Sequence, residues 1–366
     1  MNRLEKIRPL ALAILTALGV SATAQAQDTL TVVSWGGAYT QSQLKAYHEP
    51  YMAANPDVKL NSDDYSGGLA EVRAQNEAGN VTWDVVDVVM SDAITGCDEG
   101  LFEEIDHNAV LVKGSDGSLP LDDFIEGSVS DCFVPQIVYS TMFGYNMNDF
   151  PDAKPETIAD VFDLEKFPGK RGLQKSPVYN LEWALMADGV PVDQVYEVLG
   201  TEEGVDRAFA KLDTLKDQAV WWTAGAQPPQ LLADGEVSIA SGYNGRLFSA
   251  IVEENQPIGM IWNGQALDLD GWAIPIGGKN KEAVYEFVAF ATDTQRLADQ
   301  AKYISYGPAR KSSAPMVGKH AELGVDMGPH MPTNPDNMTD AFMTNFEFWA
   351  DNKDALTERF NAWLSK

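Results

Sequence analysis

Short β-branched runs alternate with amphipathic helical stretches through the first hundred residues, and this alternation limits the fold more than any other feature. Leu30–Ser34 reads as a strand, and Gln41–Ala54 as a helix with Leu44, Tyr47 and Tyr51 on one stripe. Val58–Asp63 follows the Asn55-Pro56-Asp57 turn as a second strand. Leu69–Ala78 is again helical and is closed by Gly79. Trp83–Met90 (WDVVDVVM) suits a strand covered on both faces, and Asp92–Glu99 is a short helix ended by Gly100. Repeated strand–helix–strand units imply an α/β fold, a mostly parallel sheet flanked by helices.

The chain of 366 residues exceeds what one hydrophobic core usually serves, so two lobes are expected. An apolar strand at Pro135–Asn146 and the Pro-rich stretch after it, Pro151 to Pro168, mark a crossing between them. Ser176–Ala187, Thr201–Leu215 and Gln227–Leu232 read as helices of a second α/β lobe, with Val237–Ser241 as its buried strand. Gly259–Pro275 reads as the return crossing, and Lys281–Thr292 and Thr294–Tyr303 as amphipathic helices. The tail Thr339–Leu364 reads as helical, packing through Phe342, Phe346, Trp349 and Leu356. Both lobes are then discontinuous: 27–138 with 270–310, and 139–269 with 311–366.

Arg3, Lys6 and Arg8 precede an apolar run, Leu10 to Val20, and small residues at Ala24 and Ala26. That pattern is a secretory signal peptide over 1–26, cleaved after Ala26 and too short for a membrane anchor. Its removal leaves 23 cationic and 53 anionic side chains, a formal net charge of −30. Such a surface repels nucleic acid and anionic lipid. Two cysteines in an exported chain, Cys97 and Cys132, are expected to form a disulfide, with two buried thiols as the alternative.

Enzyme motifs are missing: there is no Gly-x-Ser-x-Gly elbow, no His-Glu-x-x-His and no Walker loop. His48, His107, His320 and His330 lie at no metal-ligand spacing, so neither metal nor cofactor is expected. What stands out is a set of aromatic and polar residues at strand ends, where open α/β sheets bind their ligands. Trp35-Gly36-Gly37-Ala38-Tyr39 follows the first strand and offers amide groups and ring faces to a ligand, with Trp35 as a core plug the alternative. Ser91 and Asp92 follow the third, either as ligand contacts or as caps of the next helix. Trp222 and Tyr243 are the second-lobe aromatics, each a wall of the pocket or a core plug. Strand alternation places Asp268 and Asp270 on one face, where two acids beside aromatic rings suit an amine or guanidine, or are merely solvated.

The ordered set Trp35-Gly36-Gly37-x-Tyr39, Trp83-Asp84-Val85-Val86, Ser91-Asp92, Glu99-Gly100-Leu101, Tyr145-Asn146, Gly235-Glu236-Val237, Tyr243-Asn244-Gly245 and Gly271-Trp272-Ala273-Ile274-Pro275-Ile276 resembles a known family. The chain is similar to the periplasmic substrate-binding proteins of ABC importers in the spermidine/putrescine-binding group. The resemblance implies a two-lobed, non-catalytic periplasmic receptor with crossing strands, a monomer that closes on a solute and docks on a membrane permease. By the same resemblance, Trp35 and Tyr39 match first-lobe aromatics and Ser91 a polar contact. Tyr243 stands where the family often has Trp, and Asp270 matches the amine-pairing carboxylate. Two positions depart from the pattern: Ser176-Pro177-Val178-Tyr179 replaces acids at the first second-lobe helix, with Glu182 a turn later, and Asp268 replaces an aromatic. The expected ligand is a small cationic amine; an amino acid, an opine or another zwitterion is the alternative. An iron(III) receptor using tyrosines, or an exported hydrolase or lyase using the cleft acids, are further alternatives.

Overall fold

Runs of valine, isoleucine and leucine too apolar for a one-sided sheet become the interior of one mixed sheet covered by helices. The computed structural model describes residues 28–366, so the expected signal peptide and its cleavage after Ala26 lie outside the described residues. Among these, ten strands form the sheet: β1 (Asp28–Ser34), β2 (Val58–Asp64), β3 (Val85–Val89), β4 (Val134–Asn146), β5 (Arg171–Gln174), β6 (Ala219–Trp222), β7 (Ile239–Tyr243), β8 (Ile258–Ala273), β9 (Gly307–Pro308) and β10 (Phe342–Met343). Their order is β2-β1-β3-β8-β4-β7-β5-β6, with β9 added to β4 and β10 to β8.

Each half of the sheet is parallel: β1 lies between β2 and β3, and β5 between β6 and β7. The long strands β4 and β8 run antiparallel to one another and join the halves. Val86–Val89 of β3 pairs with Asp270–Ala273 of β8, while Thr141–Tyr145 of β4 pairs with β7. A register shift between Thr141 and Phe143 marks the point where the paired strands pass from one half to the other. The expected lobe boundaries at 138/139 and 269/270 fall inside these two strands.

Helices bury the faces their periodicity predicts. Lys281–Ala291 buries Val284, Phe287, Val288 and Ala291, and Phe287 meets Tyr51 and Trp272 edge-on. Each such side chain is worth about 1.5–3 kcal/mol. Glu202–Lys216 starts where the Thr201 hydroxyl accepts from the Gly204 N–H, and it buries Val205, Phe209, Leu212 and Leu215.

The tail departs from expectation. Residues 339–345 are not helical, because Phe342 and Met343 pair with Ala266 and Leu267 of β8. The helix begins at Phe346, capped by the Asn345 side chain, and runs to Leu364. It touches both halves: Phe360 and Trp363 pack on Phe209 and Trp221, while Lys353 pairs with Asp92. Cys97 and Cys132 are bridged, with Cα atoms 5.7 Å apart, tying the helix Met90–Asp98 to the entry of β4.

Candidate functional site

A cavity of about 350 Å³ lies where the strand ends of the two halves meet the crossing strands. Of the residues singled out from sequence, Trp35, Tyr39, Ser91, Asp92, Tyr243, Asp268 and Asp270 line it. Two do not. Gly36 sits in the turn behind the wall, its N–H taken by the Thr40 hydroxyl at 2.9 Å. Trp222 is fully buried behind Tyr243: its ring meets the tyrosine edge-on at 5.8 Å and its Nε1 donates to Ser241. β6 has only four residues, too few to reveal which of Trp221 and Trp222 faces which side.

The walls are aromatic. Trp35 packs at a tilt against Tyr65 at 4.9 Å and Tyr39 against Tyr306 at 5.6 Å, and Tyr139 meets Tyr243 edge-on at 5.6 Å. Gly67, with φ of +89°, lets the Trp35 indole lie where a Cβ would otherwise stand 2.6 Å away. Asn244 fixes two walls together: it accepts from the Ser140 N–H and donates to the Ser305 carbonyl, beside Tyr306.

Acids occupy one part of the wall. Asp268 accepts from the Tyr179 hydroxyl at 2.5 Å and from the Leu269 N–H at 2.7 Å. Burial still raises its carboxyl to about 6, against these hydrogen bonds, which hold it down. Tyr179 has φ of +65°, a conformation costly for a side chain of its size, and this turn brings its hydroxyl to Asp268 and within 3.2 Å of Tyr139. Asp270 is held well above the usual carboxylate range by burial and by the neighbouring charge of Asp87. Glu182 does not reach the cavity. It is buried behind Trp349, accepting from that indole and from Tyr196, and burial raises it to about 7.

One buried cation shares the cavity wall with these acids. Arg246, in the helix Asn244–Phe248 directly after Tyr243, lines the cavity and is only 6% exposed. Its Nη2 donates to the Trp35 carbonyl at 2.9 Å and its guanidinium lies 5.9 Å from the Tyr243 ring centroid. Its Nε has no acceptor, and among the described residues no carboxylate pairs with it. Of the other basic wall residues, Lys353 is already paired with Asp92 and Lys175 is exposed to solvent. Sequence reasoning passed over Arg246 although it stands one residue past Tyr243-Asn244-Gly245. It also passed over Tyr139 and Tyr306, whose places depend on how β4 and the segment before β9 cross the sheet.

A family model described as bacterial extracellular solute-binding protein matches residues 46–333. The γ-aminobutyric acid-binding protein of Pseudomonas aeruginosa is 39% identical over 353 residues, covering 96% of this chain and 96% of the relative. Among solved structures, MotA of A. tumefaciens B6 in complex with glucopine superposes with a TM-score of 0.83 at 31% identity, over 92% of this chain and 99% of that one. The Atu4243–GABA receptor superposes at 0.77 with 32% identity, over 93% and 98%.

Proposed function

Since the chain belongs to the bacterial extracellular solute-binding protein family, we propose that it is a periplasmic receptor for a small zwitterion whose carboxylate meets Arg246 and whose ammonium meets Asp268 and Asp270. Proteins of this family bind solutes for ABC import and are not enzymes. The observation that carries the ligand assignment is the unmatched Arg246. A buried guanidinium without a carboxylate is costly, and a ligand carboxylate completes it with a charge-assisted hydrogen bond. A diamine supplies only cations and would set one against Arg246. The aromatic walls exclude water and offer ring faces to the ammonium. Ligand contact with both halves favours the closed form, which is what a permease can read. We include in the proposal a hinge between 27–138 with 270–310 and 139–269 with 311–366, and export with cleavage after Ala26.

The relatives named for γ-aminobutyrate support an ω-amino acid as ligand. The cavity supports a second reading, because about 350 Å³ falls in the range of pockets that hold larger molecules. An amino acid carrying a polar tail, as in an opine, uses the same two charged anchors.

Thermal-shift and calorimetric titration with 4-aminobutyrate, putrescine and an opine separates these. A true ligand at 100 times its dissociation constant adds roughly 2.7 kcal/mol. Binding of 4-aminobutyrate or the opine with none of putrescine is expected. Tight binding of putrescine alone would overturn the zwitterion reading.

A further inference from the structure

Tyr179 holds a backbone conformation that a side chain of its size rarely adopts, with φ of +65° and ψ of −38°. Its neighbours impose that turn. Asn180 donates from Nδ2 to the carbonyls of Gln174 and Ser176, at 2.8 Å each, and the Tyr179 ring packs at a tilt against Trp183. The turn delivers the phenol hydroxyl to the cavity wall, 2.5 Å from Asp268 Oδ2. That separation is in the range of an O–H donating to a carboxylate, and Asp268 Oδ1 takes the Leu269 N–H.

The direction of the next hydrogen bond follows. A tyrosine has one proton to donate, and an ionised carboxylate has none. Tyr179 gives its proton to Asp268, so in the 3.2 Å contact between the two phenol oxygens Tyr139 is the donor. The Tyr139 proton is then spent as well, because Tyr179 is its one hydrogen-bond partner among the described residues. All three side chains are buried and line the cavity. Together they present oxygen lone pairs and no free proton. Arg246, on the wall of the same cavity, presents only protons.

We propose that Tyr179 and Tyr139 are positioning residues: the one-way relay Tyr139 to Tyr179 to Asp268 makes this wall admit only a nitrogen that carries N–H groups, and so selects a primary or secondary ammonium and sets which way round the ligand lies. A primary ammonium brings three donors to these oxygens. A quaternary ammonium brings none, although ring faces alone would accept it. A ligand carboxylate turned to this wall would meet lone pairs with lone pairs, whereas Arg246 receives it. The inference deepens the zwitterion reading and rests on its placing the ligand ammonium at Asp268.

Calorimetry of the mature receptor compares 4-aminobutyrate with its N,N,N-trimethyl analogue. Wild type should bind the analogue at least about 100-fold more weakly, because buried acceptors are left unpaired. Tyr179→Phe keeps the ring and removes only the hydroxyl. It should lose about tenfold in affinity for 4-aminobutyrate, and less than about twofold when added to Asp268→Asn. The pH profile separates this role from a merely structural one. Burial raises the Asp268 carboxyl to about 6, and the Tyr179 hydroxyl opposes the rise. Tyr139, Tyr243 and Asp270 also face Asp268, as do Thr344 and Lys353 from the terminal segment, and all of them remain in the variant. Affinity falls as pH drops through that titration, so in Tyr179→Phe the fall should begin at higher pH. Binding of the trimethyl analogue within threefold of 4-aminobutyrate overturns the proposal. So does an unchanged affinity and pH profile in Tyr179→Phe, or an equal loss with and without Asp268. If 4-aminobutyrate fails to bind, or Asp268→Asn binds it like wild type, the zwitterion reading fails and the selection falls with it. Carbon NMR of carboxyl-labelled, ligand-free protein judges the relay separately. The Asp268 resonance, identified by its loss in Asp268→Asn, should titrate at higher pH in Tyr179→Phe, and an unchanged midpoint overturns the relay.

Discussion

The Arg246 guanidinium donates from Nη2 to the main-chain carbonyl of Trp35 across 2.9 Å, joining the helix after β7 to the turn after β1. These segments come from opposite halves of the sheet, so the contact crosses the cavity mouth. Gly37 makes it possible: a Cβ there would lie 2.7 Å from Arg246 Nη1. The turn and the cation are thus fitted to each other, and the cation is left with capacity for one more acceptor.

Arg246→Gln keeps a polar side chain but removes the charge. Losing one partner of a buried, hydrogen-bonded charge pair costs roughly 2–5 kcal/mol. Affinity for 4-aminobutyrate should fall about 30-fold or more, while the melting temperature of the ligand-free protein stays within a few degrees or rises. Calorimetric titration checks the first and a thermal melt the second. An unchanged dissociation constant would remove Arg246 from the site.

The two wall acids should differ. Asp268 accepts two hydrogen bonds that favour its charged form, whereas Asp270 is held well above the usual carboxylate range by burial and by the neighbouring charge of Asp87. Asp268→Asn should therefore cost more affinity, roughly 2–4 kcal/mol against about 1 kcal/mol for Asp270→Asn. The sequence alone favours the opposite order, since Asp270 is the position matching the family's amine-binding acid. Titrating the same ligand into both variants at neutral pH distinguishes the orders, and a larger loss for Asp270→Asn would support the sequence-based one.

Most elements with clear periodicity were legible. The helices at 202–216 and 281–291 and the valine-rich β3 sit where apolar spacing puts them, because each buries one stripe or both faces. β5 was not legible: four residues, Arg-Gly-Leu-Gln, carry no alternation, and the buried Arg171 is satisfied by main-chain carbonyls, those of Val161, Asp163, Phe167 and Gly169. Cavity residues at the ends of β1, β3 and β7 could be read from the rule that ligands sit at parallel strand ends. Tyr139 and Tyr306 could not, because their neighbours across the cavity are set by tertiary crossing. Asp87 did leave a signal: an acid inside WDVVDVVM is out of place unless something buried meets it.

The Cys97–Cys132 bridge closes a loop with a sequence separation of 35 residues. A loop of that size confers about 3–4 kcal/mol in the chain-entropy model. Replacing both cysteines with serine should lower stability by that order in denaturant melts, with ligand affinity within threefold, since neither cysteine lines the cavity. Two reactive thiols in denatured, oxidised wild-type protein would show that the bridge does not form.

Glu182 makes the stability of the ligand-free protein fall as pH rises. It is fully buried, its Oε1 accepts from Trp349 and Tyr196, and its Oε2 has no partner among the described residues. Burial raises its carboxyl from 4.5 to about 7, so between those values the folded chain holds a proton that the unfolded chain has lost. The unfolded state then binds fewer protons, and the slope of stability against pH is negative across that window. The full cost, on the order of 3 kcal/mol, is absent below about pH 4.5 and complete above about pH 7. Glu182→Gln resembles the protonated acid at every pH and keeps an acceptor for the Trp349 indole. The variant should match wild type near the acid end and melt roughly 3–4 °C higher at about pH 8. Asp87, Asp268 and Asp270 contribute slopes of the same sign, but they are common to both proteins and cancel in the difference. Melting curves of the pair from about pH 5 to 8.5 without ligand make the comparison. Parallel curves would mean that Glu182 is ionised and solvated in the folded protein, and that the wall behind Trp349 is open to water.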